Sequence, residues 1–178
     1  MRKLPGRDGI APATDNELVL GMLKSELFDR HILLPHAEVS DTVYAAVDRF
    51  LVKYRCSRLK LSIHTDSSVE SVQDIFREAY CAHYDDECQR LTRYLRTCFK
   101  RTIVLVLISV GAYSVYLSLR RSLYDHPFIL LAISNLSAFC LWEIGNTNIA
   151  ARKGRNELKR ARCARDAEIS FEIRRGRR

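Results

Sequence analysis

Between Arg101 and Arg120 the chain runs through TIVLVLISVGAYSVYLSL, 18 residues without a charge. As a helix this stretch reaches roughly 27 Å against a hydrocarbon core of about 30 Å, and its flanking arginines can snorkel to the headgroups. After a short polar turn comes a second apolar run, PFILLAISNLSAFCLW from Pro127 to Trp142, whose far end is polar: Glu143, then IGNTNIAA. A chain of 178 residues has no large core in which to hide two such segments. The pair therefore predicts a two-helix transmembrane hairpin over residues 101–151.

Charge sets the expected orientation. Arg90, Arg93, Arg96, Lys100 and Arg101 precede the first span, and Arg152, Lys153, Arg155, Lys159, Arg160 and Arg162 follow the second. The connecting loop has only Arg120 and Arg121, offset by Asp125. The positive-inside rule then places both termini in the cytoplasm, in a multi-pass protein of the cytoplasmic (inner) membrane. The N-terminus shows no apolar run until past residue 15 and reads without a signal peptide. Residues 1–14 read as a flexible basic arm and residues 175–178 as a basic tail. The excess of 29 Lys and Arg over 21 Asp and Glu clusters where the helices leave the bilayer. That distribution predicts contact with anionic inner-leaflet lipids, at about 1 kcal/mol per nearby basic residue, rather than nucleic-acid binding.

Six cysteines form no C-x-x-C pair, and the five outside the spans are expected to stay reduced on the cytoplasmic side. Cys81, Asp85 and Cys88 share a helical face but lack a fourth ligand, so they predict packing rather than a metal site. Neither a glycine-rich phosphate loop nor a nucleophile elbow occurs, so no cofactor and no catalytic residue is expected. Arg121 and His126 have the spacing of a histidine–arginine pair in some ribonucleases, but both sit in the outer loop, away from cytoplasmic RNA.

The remaining sequence predicts a small α/β region with the first stalk helix over 15–100, and a second cytoplasmic helix with a closing strand over 152–174. A short helix is expected from Asp15 to Arg30, with HILLP at 31–35 as a brief strand or its exit. Ser40 caps a helix over 41–55, in which Val43, Val47, Phe50, Leu51 and Tyr54 recur at helical spacing. RLKLSIH alternates Leu59, Leu61 and Ile63 with polar residues, a strand signal, and EISFEI at 168–173 does the same with Ile169, Phe171 and Ile173. From about residue 69 to 119 no glycine or proline interrupts the helical pattern before Gly111, so stalk and span read as one helix. The second span reads as continuing to about Arg165. The two strands should pair at the distal end, most simply antiparallel, and pack on the stalk or on the 41–55 helix. The expected fold class is thus an α+β membrane protein: a two-helix transmembrane hairpin continued by long cytoplasmic helices and capped by a small antiparallel sheet.

LSIHTD, the FREAY…YDDE…LTRYLR stalk, NLSAFCLWEIGNT and ARDAEISFEI occur in the order found in a family of small bacterial two-span inner-membrane proteins with a cytoplasmic α/β stalk domain, which the chain resembles over residues 59 to 174. The resemblance implies a bacterial cytoplasmic-membrane protein and carries over no catalytic residue.

Within WEIGNT, Glu143 lies about a turn inside the polar end of the second span, beside Trp142 and Asn146. An ionisable group there suits an ion or proton path, or a packing contact with Arg96, Lys100 or Arg101; Arg152 belongs to the same interface. Gly111 in the first span and Ser134, Asn135 and Ser137 in the second are the candidates for helix association. They cannot all face one partner helix, which predicts a homo-oligomer, with a dimer favoured. The function expected is a self-associating, membrane-anchored structural or scaffold protein. The alternative is an oligomeric pore-forming or membrane-disrupting effector, and an enzyme is the least expected.

Overall fold

The computed structural model describes residues 16–28, 39–54, 58–65, 70–119 and 127–173. The basic arm, HILLP, the interhelical loop with Arg121 and His126, Cys56 and the basic tail lie outside these described residues. The described elements are β1 (Glu17–Gly21), a 3-10 turn (Lys24–Glu26), α1 (Asp41–Tyr54), β2 (Lys60–Thr65), α2 (Glu70–Leu119), α3 (Pro127–Arg165) and β3 (Glu168–Ile173). The chain divides into two units: residues 1–89 with 158–178, and residues 90–157.

The first unit is a two-layer α/β arrangement. Its three strands pair in the order β1-β2-β3, and both pairings are parallel. Register puts Leu18, Leu61 and Ile169 in one row and Leu20, Ile63 and Phe171 in the next. Those rows meet the helices: Val43, Val47, Phe50 and Leu51 of α1 and Phe76, Tyr80 and Tyr84 of α2 are buried with them, and Phe76 meets Phe171 edge-on at 5.4 Å between ring centroids. Each side chain of that size contributes about 1.5–3 kcal/mol on full burial, so this one face holds most of the unit's stability. The other face is polar. Ser62 donates to Glu17 at 2.9 Å and lies 3.2 Å from Ser170, while Lys60 pairs with Glu168 at 3.7 Å and His64 lies 3.5 Å from Glu172.

Two sequence expectations fail in this unit. Residues 17–21 form a strand, the third of the sheet, and not part of a helix from Asp15 to Arg30. Leu18 and Leu20 alternate with Glu17 and Val19, and pairing with β2 on a buried face outweighs the weaker helical spacing of Leu20, Leu23 and Leu27. The sheet is also parallel, not antiparallel. The cause lies in where α3 stops: Arg165 reaches Asp85 at 3.5 Å, about four turns into α2. Only Asp166 and Ala167 separate α3 from β3, whose Glu168 amide already donates to Leu59. The strand therefore continues in the direction of α3, alongside the first turns of α2, where Arg77 donates to the Ile169 carbonyl. β2 runs the same way before the chain reverses into α2. Two strands that both oppose α2 are parallel to each other. β1 joins β2 through α1, the crossover that parallel neighbours require.

Ser40 precedes α1 as expected, its hydroxyl accepting from the Thr42 amide at 3.4 Å. α2 and α3 are each one unbroken helix, 50 and 39 residues long, rather than a hairpin followed by separate helices. Both are long and apolar enough to cross a membrane, and 6% of the most apolar 18-residue window of each is buried.

Candidate functional site

The second unit is built from facing stretches of α2 and α3. The less exposed positions include Cys98, Thr102, Leu105, Ser109, Ala112 and Tyr116 on α2, and Leu130, Ile133, Ser137, Cys140, Ile144, Thr147, Ala151 and Gly154 on α3. Steps of three and four residues on both helices are the seam of a left-handed pair. At Gly154 the approach is tight, since a Cβ there would stand 3.2 Å from Leu95 Cδ2 and 3.3 Å from the Tyr94 ring.

Polar contacts cross this seam at Glu143 and at Ser137. The Arg101 guanidinium donates to Glu143 Oε1, while Asn146 Nδ2 donates to Glu143 Oε2 at 3.4 Å. The Thr147 hydroxyl donates to the Glu143 backbone carbonyl at 2.8 Å. Two helical turns from Arg101, the Ser109 and Ser137 hydroxyls lie 3.3 Å apart. Of the cations expected near Glu143, the fold selects Arg101. Arg96, Lys100 and Arg152 are exposed and make no ion pair among the described residues. Trp142 points outward and is 70% exposed.

The association candidates divide in the same way. Ser137 faces the seam, whereas Ser134 and Asn135 are exposed and Gly111 has nothing within 4 Å of where a Cβ would stand. Ser109 was missing from the sequence candidates. Its only signal is a hydroxyl in an apolar run, and Ser114 shares that signal while donating back to the Val110 carbonyl of its own helix.

Sequence reasoning also missed a polar-aromatic cluster in the first unit. Tyr84 donates to Asp48 Oδ1 at 3.4 Å, and the rings of Tyr44 and His83 stack at 3.8 Å between centroids. Desolvation raises the Asp48 carboxyl above the ordinary carboxylate range, against the hydrogen bond from Tyr84 and the field of His83. Burial likewise pushes the Tyr80 and Tyr84 phenols far up, so both stay neutral. The Tyr80 hydroxyl is buried without a hydrogen-bond partner among the described residues. The rings of Tyr44, Tyr80 and Tyr84 lie 4.9–6.1 Å apart, which is mutual contact and leaves no cage between them for a cationic ligand. Cys81, Cys88, Cys98, Cys140 and Cys163 form no disulfide among the described residues, and burial raises the Cys81 and Cys88 thiols above their ordinary value.

Comparison with protein-family models, with curated proteins and with solved structures returned no match for this chain. Its class is thus defined by the geometry alone: a small parallel α/β unit joined in sequence to a pair of long, apolar, outward-facing helices.

Proposed function

We propose that the chain is a membrane-anchored structural or scaffold protein that associates with itself. One observation carries this reading: only 6% of the apolar window of each of α2 and α3 is buried, while Arg101, Glu143, Ser109 and Ser137 spend their polar groups on each other. In a bilayer the uncovered apolar surface is solvated by lipid, and the paired groups avoid the cost of a lone charge in hydrocarbon. Both termini then lie on the cytoplasmic side of the inner membrane. Arg96, Lys100 and Arg152 have their cations free for anionic headgroups, and Trp142 occupies the interfacial belt. The family resemblance over residues 59–174 agrees with this placement.

A second reading, an oligomeric pore, draws on the exposed Ser134 and Asn135, which several copies would turn toward a lumen. Reconstitution into dye-loaded liposomes decides between them. The scaffold reading expects stable incorporation with no leak above empty vesicles, while a leak that rises with protein density and falls in Asn135→Leu establishes the pore instead.

A further inference from the structure

One stripe of α3 lies on the side turned away from α2 and repeats every seven residues. Phe128, Asn135, Trp142 and Ile149 stand seven apart, with Leu131, Ala138 and Gly145 three residues after the first three. All seven positions are exposed, Phe128 at 84%, Trp142 at 70% and Ile149 at 69%. The seam against α2 uses a different stripe, through Ser137, Cys140, Ile144 and Thr147, so this one is unspent. Positions seven apart stay on one face of the helix, so a second helix can follow this stripe in a left-handed crossing while the other face is committed to α2.

The chemistry within the stripe says what crosses there. Asn135 lies eight residues from Pro127, about 12 Å along the helix and well inside the apolar run. Its amide makes no hydrogen bond among the described residues. A serine at that depth can return its proton to its own helix, as Ser114 does, but an amide carries two donors and an acceptor that one carbonyl does not satisfy. Lipid offers none, and an unsatisfied amide in hydrocarbon is costly. We infer that this stripe is the interface with a second copy of the chain, with α3 packed parallel to its counterpart and the two Asn135 amides hydrogen-bonded across the two-fold axis.

Two copies inserted in the same sense are related by an axis along the membrane normal, so each stripe position meets its own equivalent. Asn135 then meets the one group that supplies both a donor and an acceptor to it. Ala138 and Gly145 keep the backbones close, and nothing stands within 4 Å of where a Gly145 Cβ would be. A single asparagine in an otherwise apolar or small repeat also fixes register and copy number.

This inference rests on the membrane reading, and the experiment separates the two. Full-length protein in native membranes is oxidised with single added cysteines at Leu131, Ala138 or Leu136, the unmodified chain serving as the blank for its own thiols. Leu131→Cys and Ala138→Cys should give a dimer band and Leu136→Cys, exposed but off the stripe, should not. Adding Asn135→Leu should weaken self-association roughly three- to thirty-fold, the range of one interhelical hydrogen bond in a membrane, and Asn135→Gln should restore part of it. Equal bands at 131, 136 and 138, or dimers indifferent to Asn135→Leu, overturn the interface. Alkaline carbonate extraction of the same samples reports membrane residence: release of the protein overturns the membrane reading itself, whereas pelleting with no dimer overturns only the interface.

Discussion

The Tyr80 hydroxyl is desolvated on folding and has no hydrogen-bond partner among the described residues. An unsatisfied buried group of this kind costs about 1–3 kcal/mol, so Tyr80→Phe is expected to raise the unfolding free energy by something in that range, against the usual sign for altering a core residue. Urea unfolding of the two proteins checks it, and a loss of stability would mean that the hydroxyl is satisfied by bound water. Asp48 makes a pH-dependent counterpart. Its carboxyl is raised on folding, chiefly by desolvation, so the folded state prefers it protonated. The associated stability is present below the unfolded value of about 3.9 and is lost as pH rises through the folded one. At neutral pH the ionised group is a net cost. Asp48→Asn, which keeps an oxygen for Tyr84, should therefore melt slightly higher than the parent at pH 7, with the difference closing below about pH 4. A difference that instead widens on acidification would reverse the assignment.

At the scale of elements, the periodicities that were strong in the sequence were realised. Period two over Leu59, Leu61 and Ile63 and over Ile169, Phe171 and Ile173 became β2 and β3, and the uninterrupted helical pattern became α2. The direction of pairing was not legible, because it depends on where α3 stops relative to α2, a place marked by the Glu168 amide donating to Leu59 and by the Arg165–Asp85 contact, both between residues far apart in sequence. The strand at Glu17–Gly21 was obscured because Leu18, Leu20, Leu23 and Leu27 serve either period until a partner strand selects one. Of the candidate site, Glu143 and its need for a cation were readable, but the choice of Arg101 over Lys100 and Arg96 required the phase of one helix against the other. The parallel register has a direct consequence. Lys60 is opposite Glu168, whereas antiparallel pairing centred on Ser62 and Ser170, which keeps the polar residues on one face, would place it opposite Glu172. Lys60→Cys with Glu168→Cys should oxidise readily to a disulfide and Lys60→Cys with Glu172→Cys should not, read by gel shift; the opposite preference would restore the antiparallel sheet.

For the whole molecule, the division into two units makes a claim about what folds by itself. The first unit owns the sheet, the apolar rows of Leu18, Leu61, Ile169 and Leu20, Ile63, Phe171, and the buried aromatic side chains of α2 that pack with them. Its two long helices are already joined beyond the sheet by Arg165 and Asp85. Leu158, Ala161 and Ala164 of α3 and Tyr84 and Cys88 of α2 are buried at that level, so the helices have an apolar contact that does not call on residues 90–157. Antiparallel helices of this kind need only a loop of about 2–5 residues to close. Replacing residues 90–157 by such a loop should therefore leave a protein that stays in the supernatant without detergent and unfolds in urea with a single cooperative transition. It should also retain the Lys60→Cys to Glu168→Cys cross-link, since nothing in that register depends on the excised segment. A detergent-dependent or non-cooperative product would show that the apolar helices are part of the fold of the first unit and not only its anchor.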